Sequence, residues 1–254
     1  MFQRLQQLAV PLVLSLMAAT AAAEEGETEA QAFVEARAAM VEAVELQARL
    51  IGQETGIAEL DEAVLEVMRQ VPRHRFLPPD LQPGGYLNMP LPAMPGATVS
   101  QPLIVALMLH AAALSPDEEA LVVGVGAGYL TTLLLEIGAS VRVVEYDQAI
   151  ASYAANRFDE LGYGDVNMRI ADGYYGWPEA GQQFDAIIVR LALPDIPPTL
   201  TAQLAPGGRL IVPVGQPEGQ QWLTLVERAE DTGELHQRRL LQVRFTPLPG
   251  GIRL

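Results

Sequence analysis

The chain has no cysteine, only three histidines, and just 16 basic residues against 31 acidic ones. The first absence excludes disulfides, thiolate-bound zinc, iron–sulfur clusters and thiol nucleophiles, and leaves either redox compartment open. The histidines, His74, His110 and His236, are too scattered to suggest a metal site, so no metal is expected. A formal charge of −15 with no basic run argues against nucleic acid as a partner, because binding phosphates needs clustered Lys and Arg. The acidity reads as solubility. No Gly-Lys-Ser/Thr sequence occurs, which excludes a phosphate-binding P-loop. What is present is apolar bulk: 50% of the 254 residues are hydrophobic, enough for one large α/β domain with appendages or for two small domains.

In chain order, Met1–Ala23 has a weakly positive start (Arg4), an apolar run over Leu8–Met17 and an Ala21-Ala22-Ala23 cleavage pattern. That is the pattern of a signal peptide, so export, for instance to a periplasm, is expected, with no stable membrane insertion after cleavage. A cytoplasmic location is the alternative. Glu24–Ala30 reads as a frayed acidic start, and an acidic segment with its helix extends to residue 58. Gln31–Ile51 reads as an amphipathic helix, with apolar residues recurring at Phe33, Met40, Val44 and Leu50 and Glu and Arg between, and Asp61–Gln70 is a second helix. Val71–Pro79 stops that helix and continues extended, and Leu81–Pro102, rich in proline and glycine, reads as a loop. Leu103–Leu114 is an apolar helix with Pro102 near its first turn. Ser100 and Gln101 stand at its start, where free N–H groups can meet an anion and where Ser100 suits a helix cap.

The rest is organised around Ala120–Tyr129, ALVVGVGAGY, an apolar run leading into Gly124, Gly126 and Gly128. A strand, a glycine turn and a helix make the nucleotide-binding corner of an open α/β sheet. Further strands are expected at Val141–Glu145, Asn167–Ile170, Phe184–Val189 and Arg209–Val214, with candidates at Trp222–Arg228 and Leu240–Phe245. Helices fall at Ile150–Leu161 and Pro197–Leu204, and turns at Pro206-Gly207-Gly208 and Ala229–Gln237. The alternation predicts a doubly wound, mainly parallel sheet with an N-terminal helical extension. Glu145 ends the second strand, about 20 residues past the glycines, where an acid accepts ribose hydroxyls. Asp172, before Gly173, ends the third and suits an adenine amino group. An adenosine-type ligand follows, and NAD and S-adenosylmethionine both fit.

Several stretches resemble the protein-L-isoaspartate O-methyltransferase family: VPRHRFLP (Val71–Pro78), YLNMPLPAMPGATVSQPLIVALM (Tyr86–Met108), VGVGAGY (Val123–Tyr129), FDAIIV (Phe184–Val189), LPDIPPTLTAQLAPGGRLIVPVG (Leu193–Gly215) and VRFTPLPGG (Val243–Gly251). They run in family order from about Glu59 to the C-terminus. The resemblance implies a class I methyltransferase domain over 59–254, S-adenosylmethionine as methyl donor, no metal, and isoaspartyl-containing proteins or peptides as substrates. It implies that Ser100 is the residue at the reacting carboxylate, with Thr98 beside it. It implies donor binding by Gly124, Gly126, Gly128, Glu145, Asp172 and Gly173.

Two stretches depart from the family pattern. Val122 stands where an acid commonly precedes the first glycine, and Ala127 replaces a serine. Arg190-Leu191-Ala192 follows the fourth strand where small residues are usual. Arg190 would stand at the ligand end of the sheet, where it can contact a substrate carboxylate, pair with Glu145 or Asp172, or face solvent. A second reading, a non-catalytic relative that binds peptide carboxylates or a partner protein in the same cleft, stays open.

Overall fold

Short apolar runs separated by amphipathic ones place strands inside and helices outside, and the computed structural model of the chain has that layering. The structure describes residues 28–250. The expected leader Met1–Ala23, and the acidic stretch as far as residue 27, lie outside the described residues. Helix α1 runs over 28–50, followed by α2 (Gly52–Thr55) and α3 (Glu62–Gln70). A small hairpin comes next, β1 (Leu91–Met94) with β2 (Ala97–Val99), then α4 (Pro102–Ala112). The alternating unit consists of β3 (Glu119–Val123), α5 (Tyr129–Ile137), β4 (Ser140–Glu145), α6 (Gln148–Leu161), β5 (Asn167–Ile170), β6 (Phe184–Val189), α7 (Pro198–Ala202) and β7 (Leu204–Val214). Strands β8 (Gln221–Arg228) and β9 (Leu235–Val243) close the described fold.

The sheet order is β5-β4-β3-β6-β7-β8-β9. Pairs from β5 to β7 are parallel, and β7–β8 and β8–β9 are antiparallel. From β3 the chain winds outward through β4 to β5, then returns to β6 on the other side of β3. The carboxyl ends of β3 and β6 therefore flank the point where the winding reverses, which is where such sheets bind ligands.

Successive side chains of a strand point to opposite faces, and β3 uses both. Ala120 and Val122 join a core with α3, α4, α5 and α6, whereas Leu121 and Val123 pack against Trp177, Leu200 and Leu248. The N-terminal helix belongs to the first core through Met40, Val41, Val44 and Ala48. Its Phe33 ring lies face to face with His74, centroids 3.9 Å apart.

Strand β9 begins at Leu235, inside the expected Ala229–Gln237 turn, and three further segments depart from the sequence reading. Arg73–Phe76, expected extended, is a 3-10 turn, because the Leu77 N–H bonds back to the His74 carbonyl. The proline-rich loop contains the β1–β2 hairpin, in which Leu91 pairs with Val99 and Pro92 with Thr98. The Pro206-Gly207-Gly208 turn is a bulge inside β7: the β6 partners Phe184 and Ala186 face Leu204 and Arg209, so the extra residues loop out without ending the strand.

His74 is held neutral. Its Nδ1 lies 2.8 Å from the Tyr86 hydroxyl, and burial, with Arg75 and Arg37 nearby, lowers its pKa from the ordinary 6.5 to about 4. The unfolded chain gains this proton near pH 6.5 and the folded chain only near pH 4. The stability contributed by the neutral ring is thus complete above pH 6.5 and is lost as pH falls through about 4. The thermal midpoint should fall across that window, and His74→Gln should flatten the fall. Equal slopes in both proteins would refute this assignment.

Candidate active site

A cavity of about 1090 Å³ opens at the carboxyl ends of β3, β4 and β6. Its walls include Gly124 and Gly126 after β3, Glu145 at the end of β4, Arg190 just after β6, and Thr98 and Ser100. The segment Leu241–Pro249 forms a further wall and is laced to the loop after β6 by Ala192 N–H to Thr246 O and Leu248 N–H to Ala192 O.

Three alternating glycines with positive φ (84°, 55° and 96°) turn the chain sharply between β3 and α5. A side chain at Gly126 would overlap the Arg190 guanidinium, and a Cβ at Gly124 would come within 2.9 Å of Leu191. The turn is braced from β4. Glu145 Oε2 accepts from Val125 N–H at 2.9 Å, and Oε1 accepts from Tyr146 and Asp147 N–H at 2.8 and 3.0 Å. A carboxylate has about four acceptor positions, so this buried group keeps one.

Arg190 bridges the two halves of the cavity. Nη1 donates to Gly124 O at 3.0 Å, and Nη2 donates to Ser100 Oγ at 3.1 Å and to Thr98 O at 3.3 Å. No carboxylate forms an ion pair with it among the described residues. Its Nε is buried without a partner. Desolvation lowers its pKa to about 10, opposed by the charge of Glu145, so it remains a cation at neutral pH. Of the three expected options for Arg190, this geometry leaves an unmatched cation beside Ser100.

Other expected site residues stand outside the cavity wall. Gly128 caps α5 and packs on Phe158, whose Cε1 would lie 2.9 Å from an added Cβ. Asp172 accepts from Tyr174 N–H at 3.0 Å, and Gly250 packs directly on its carboxylate. Gly173 packs against Val123. None of these three lines the cavity. Val122 also lies off the cavity wall, fully buried in the α-helical core.

The helix start behaves differently from expectation. Gln101, not Ser100, is the boundary residue of α4, and it makes no side-chain cap. The cap comes from outside: Asn88 Oδ1 accepts from Leu103 N–H at 3.1 Å while its amide donates to Gln47 of α1. The Ser100 hydroxyl is therefore available to the cavity, and fewer N–H groups remain to meet an anion. Asn88 sits in a loop with no periodic pattern to reveal it. Tyr146 was also missed. It is 52% exposed and lines the cavity beside Ile150, and its position directly after the strand-ending acid was the available signal.

The sequence model of the family described as protein-L-isoaspartate(D-aspartate) O-methyltransferase matches residues 45–252. A protein-L-isoaspartate O-methyltransferase of Syntrophobacter fumaroxidans is 44% identical over 216 residues, covering 85% of this chain and 87% of that protein. One from Nitrosospira multiformis is 46% identical over 189 residues, covering 74% and 79%. Among solved structures, a protein-L-isoaspartate O-methyltransferase superposes with a TM-score of 0.67 at 27% identity, covering 81% of this chain and 66% of that one. A Plasmodium falciparum relative crystallised with S-adenosyl-L-homocysteine has a TM-score of 0.68 at 24% identity, covering 84% of this chain and 97% of that one.

Asn88→Ala should lower the thermal midpoint by roughly 2–4 °C, since losing a helix cap costs about 1 kcal/mol. Ser100→Ala should lower it by clearly less, as measured by calorimetry. The reverse order would restore Ser100 as the cap.

Proposed function

This chain belongs to the protein-L-isoaspartate(D-aspartate) O-methyltransferase family, and from that premise we infer that Ser100 and Arg190 together hold the substrate carboxylate beside the glycine corner. The reaction is methyl transfer from S-adenosylmethionine to the free carboxylate of an isoaspartyl residue, the chemistry of protein repair. One observation carries the assignment: an Arg190 guanidinium without a counter-ion lies 3.1 Å from the Ser100 hydroxyl, next to the donor corner.

The cavity suits the donor. The bare backbone at Gly124 and Gly126 permits close approach. Glu145 keeps one acceptor position for a ribose hydroxyl, and Tyr146 and Ile150 offer apolar surface to a base. When bound, the donor supplies a methyl group on a sulfonium, an electrophile that needs no further activation.

The remaining work falls to positioning. An isoaspartyl carboxylate is ionised at neutral pH and needs no general base, and no histidine lines the described cavity. Ser100 Oγ accepts from Arg190, so its own proton is directed to a carboxylate oxygen. Arg190 keeps a hydrogen on Nη1, and the incoming anion supplies the missing counter-charge. Held between these groups, one carboxylate oxygen forms the new bond to carbon as the carbon–sulfur bond breaks. Leu241–Pro247 and Pro249 form one wall of the cavity, and orientation supplies the rate. The neighbouring backbone amide nitrogen of the substrate then attacks the ester carbon and expels methanol, closing a succinimide without help from the protein, and hydrolysis returns part of it as aspartate.

Ser100→Ala removes one hydrogen bond to a charged group, worth about 1.5–3 kcal/mol, and should lower kcat/KM for an isoaspartyl peptide about 10- to 100-fold. Arg190→Met should lower it further. Affinity for S-adenosylhomocysteine, measured by calorimetry, should change little in Ser100→Ala. An unchanged kcat/KM in both variants would remove these residues from the substrate site.

We also propose that the protein acts after export, on the support of the Met1–Ala23 pattern. The intact mass of the protein recovered from its native host should correspond to a chain beginning at Glu24. A mass retaining Met1–Ala23, in a cytoplasmic fraction, would contradict this.

A further inference from the structure

Arg73 is the most buried cation of the described chain, with no exposed surface, and the reaction above does not use it. No carboxylate pairs with it among the described residues. Its two Nη groups are spent on main-chain carbonyls, and Nε is buried without a partner. Nη1 donates to Gly85 O, and Nη2 donates to Met89 O at 3.1 Å, Ser100 O at 3.0 Å and, at a long 3.5 Å, Val99 O. The guanidinium carbon lies 5.9 Å from the centre of the Tyr129 ring. Tyr129 is the first residue of α5, immediately after the glycine corner.

The arrangement is selective. All four acceptors lie on the segment from Gly85 to Ser100, which delivers Thr98 and Ser100 to the cavity. The three consecutive carbonyls of that delivery point are divided between two guanidiniums: Arg190 takes Thr98 O, and Arg73 takes Val99 O and Ser100 O. Both guanidiniums also reach the glycine corner, Arg190 through Gly124 O and Arg73 through the face of Tyr129. Desolvating a cation this fully is costly unless it is hydrogen-bonded. Leu or Met would fill the same volume at less expense if packing were the whole purpose. Only a planar fork reaches several carbonyls at once.

We propose that Arg73 is a positioning residue, which sets the placement of the Ser100 hydroxyl relative to the donor corner from behind the peptide while Arg190 does so from the cavity side. The proposal rests on the assignment of Ser100 to the substrate carboxylate. Arg73 touches neither reactant. Its effect passes through the Ser100 backbone, so it should appear in turnover of the peptide and not in donor affinity.

A double-mutant cycle tests this. Arg73→Lys keeps the charge but loses the fork, and Arg73→Met keeps only the stem. Each is made alone and in Ser100→Ala, with methyl transfer to an isoaspartyl peptide and calorimetric binding of S-adenosylhomocysteine as readouts. In the parent chain, kcat/KM should fall at least tenfold for Arg73→Lys and further for Arg73→Met, with the dissociation constant for S-adenosylhomocysteine within threefold. In Ser100→Ala the same changes should lower kcat/KM by less than threefold, because the group being positioned is already gone. Equal losses in both backgrounds, no loss in the parent, or a parallel loss of S-adenosylhomocysteine binding would overturn the proposal. Failure of both variants to fold would overturn it too, since the guanidinium would then be a requirement of the fold itself. If Ser100→Ala alone is fully active, it is the assignment of Ser100 that fails.

Discussion

The Glu145 carboxylate takes N–H bonds from Val125, Tyr146 and Asp147, and so joins the end of β4 to the turn that follows β3. The glycine corner cannot brace itself, having no side chains at three alternating positions. With the turn fixed, Gly124 O becomes a fixed acceptor for Arg190, and Arg190 in turn fixes the relation of Thr98 and Ser100 to the corner. A buried acid at the end of β4 thus does two things with one group. It shapes the cavity wall and, without forming an ion pair, adds a negative charge that favours the cationic form of Arg190 against its desolvation.

The central sheet was legible because its signals are local. Asn167–Ile170 and Phe184–Val189 are bounded in the sequence by polar or turn residues, and the structure has those two strands with those ends. Gly124, Gly126 and Glu145 were read from strand ends and glycine spacing, Thr98, Ser100 and Arg190 through the family resemblance, and the six share one cavity. What escaped depends on contacts distant in sequence. The β1–β2 hairpin is written in prolines and small residues, and its pairing has no alternation to reveal it. Asn88 caps a helix that begins more than ten residues later, so no capping box marks it. Arg73 in Val-Pro-Arg looks like any surface arginine, and only the return of Gly85–Ser100 around it makes it a core residue. The reading of Ser100 as a cap failed for the same reason: the competing acceptor arrives from another part of the chain.

All 16 basic residues of this chain are arginine, and lysine is absent. The choice matches how they are used. Arg73 and Arg190 grip main-chain carbonyls on either side of Ser100, Arg228 donates to Leu204 O, and Arg238 donates to Thr55 O across 183 residues of sequence. An ammonium is a compact, strongly hydrated point charge, poorly suited to bridging carbonyls in a dry setting, whereas a guanidinium is weakly hydrated and presents several donors in one plane. In a chain with so much negative charge, Arg73 and Arg190 act as staples between segments and form no ion pair among the described residues.

The Asp172–Gly173 peptide carries a vulnerability of its own. A carboxyl side chain followed by glycine is the linkage most open to isomerisation, because the next amide nitrogen has no side chain to shield it from the neighbouring carboxyl carbon. In this fold the Asp172 carboxylate accepts from Tyr174 N–H at 3.0 Å, its backbone is set at φ −76° and ψ 111°, and Gly250 lies against it. Closing the carboxyl carbon onto the Gly173 nitrogen requires that hydrogen bond and that backbone setting to change, so the fold opposes the rearrangement at this linkage for as long as it stays intact.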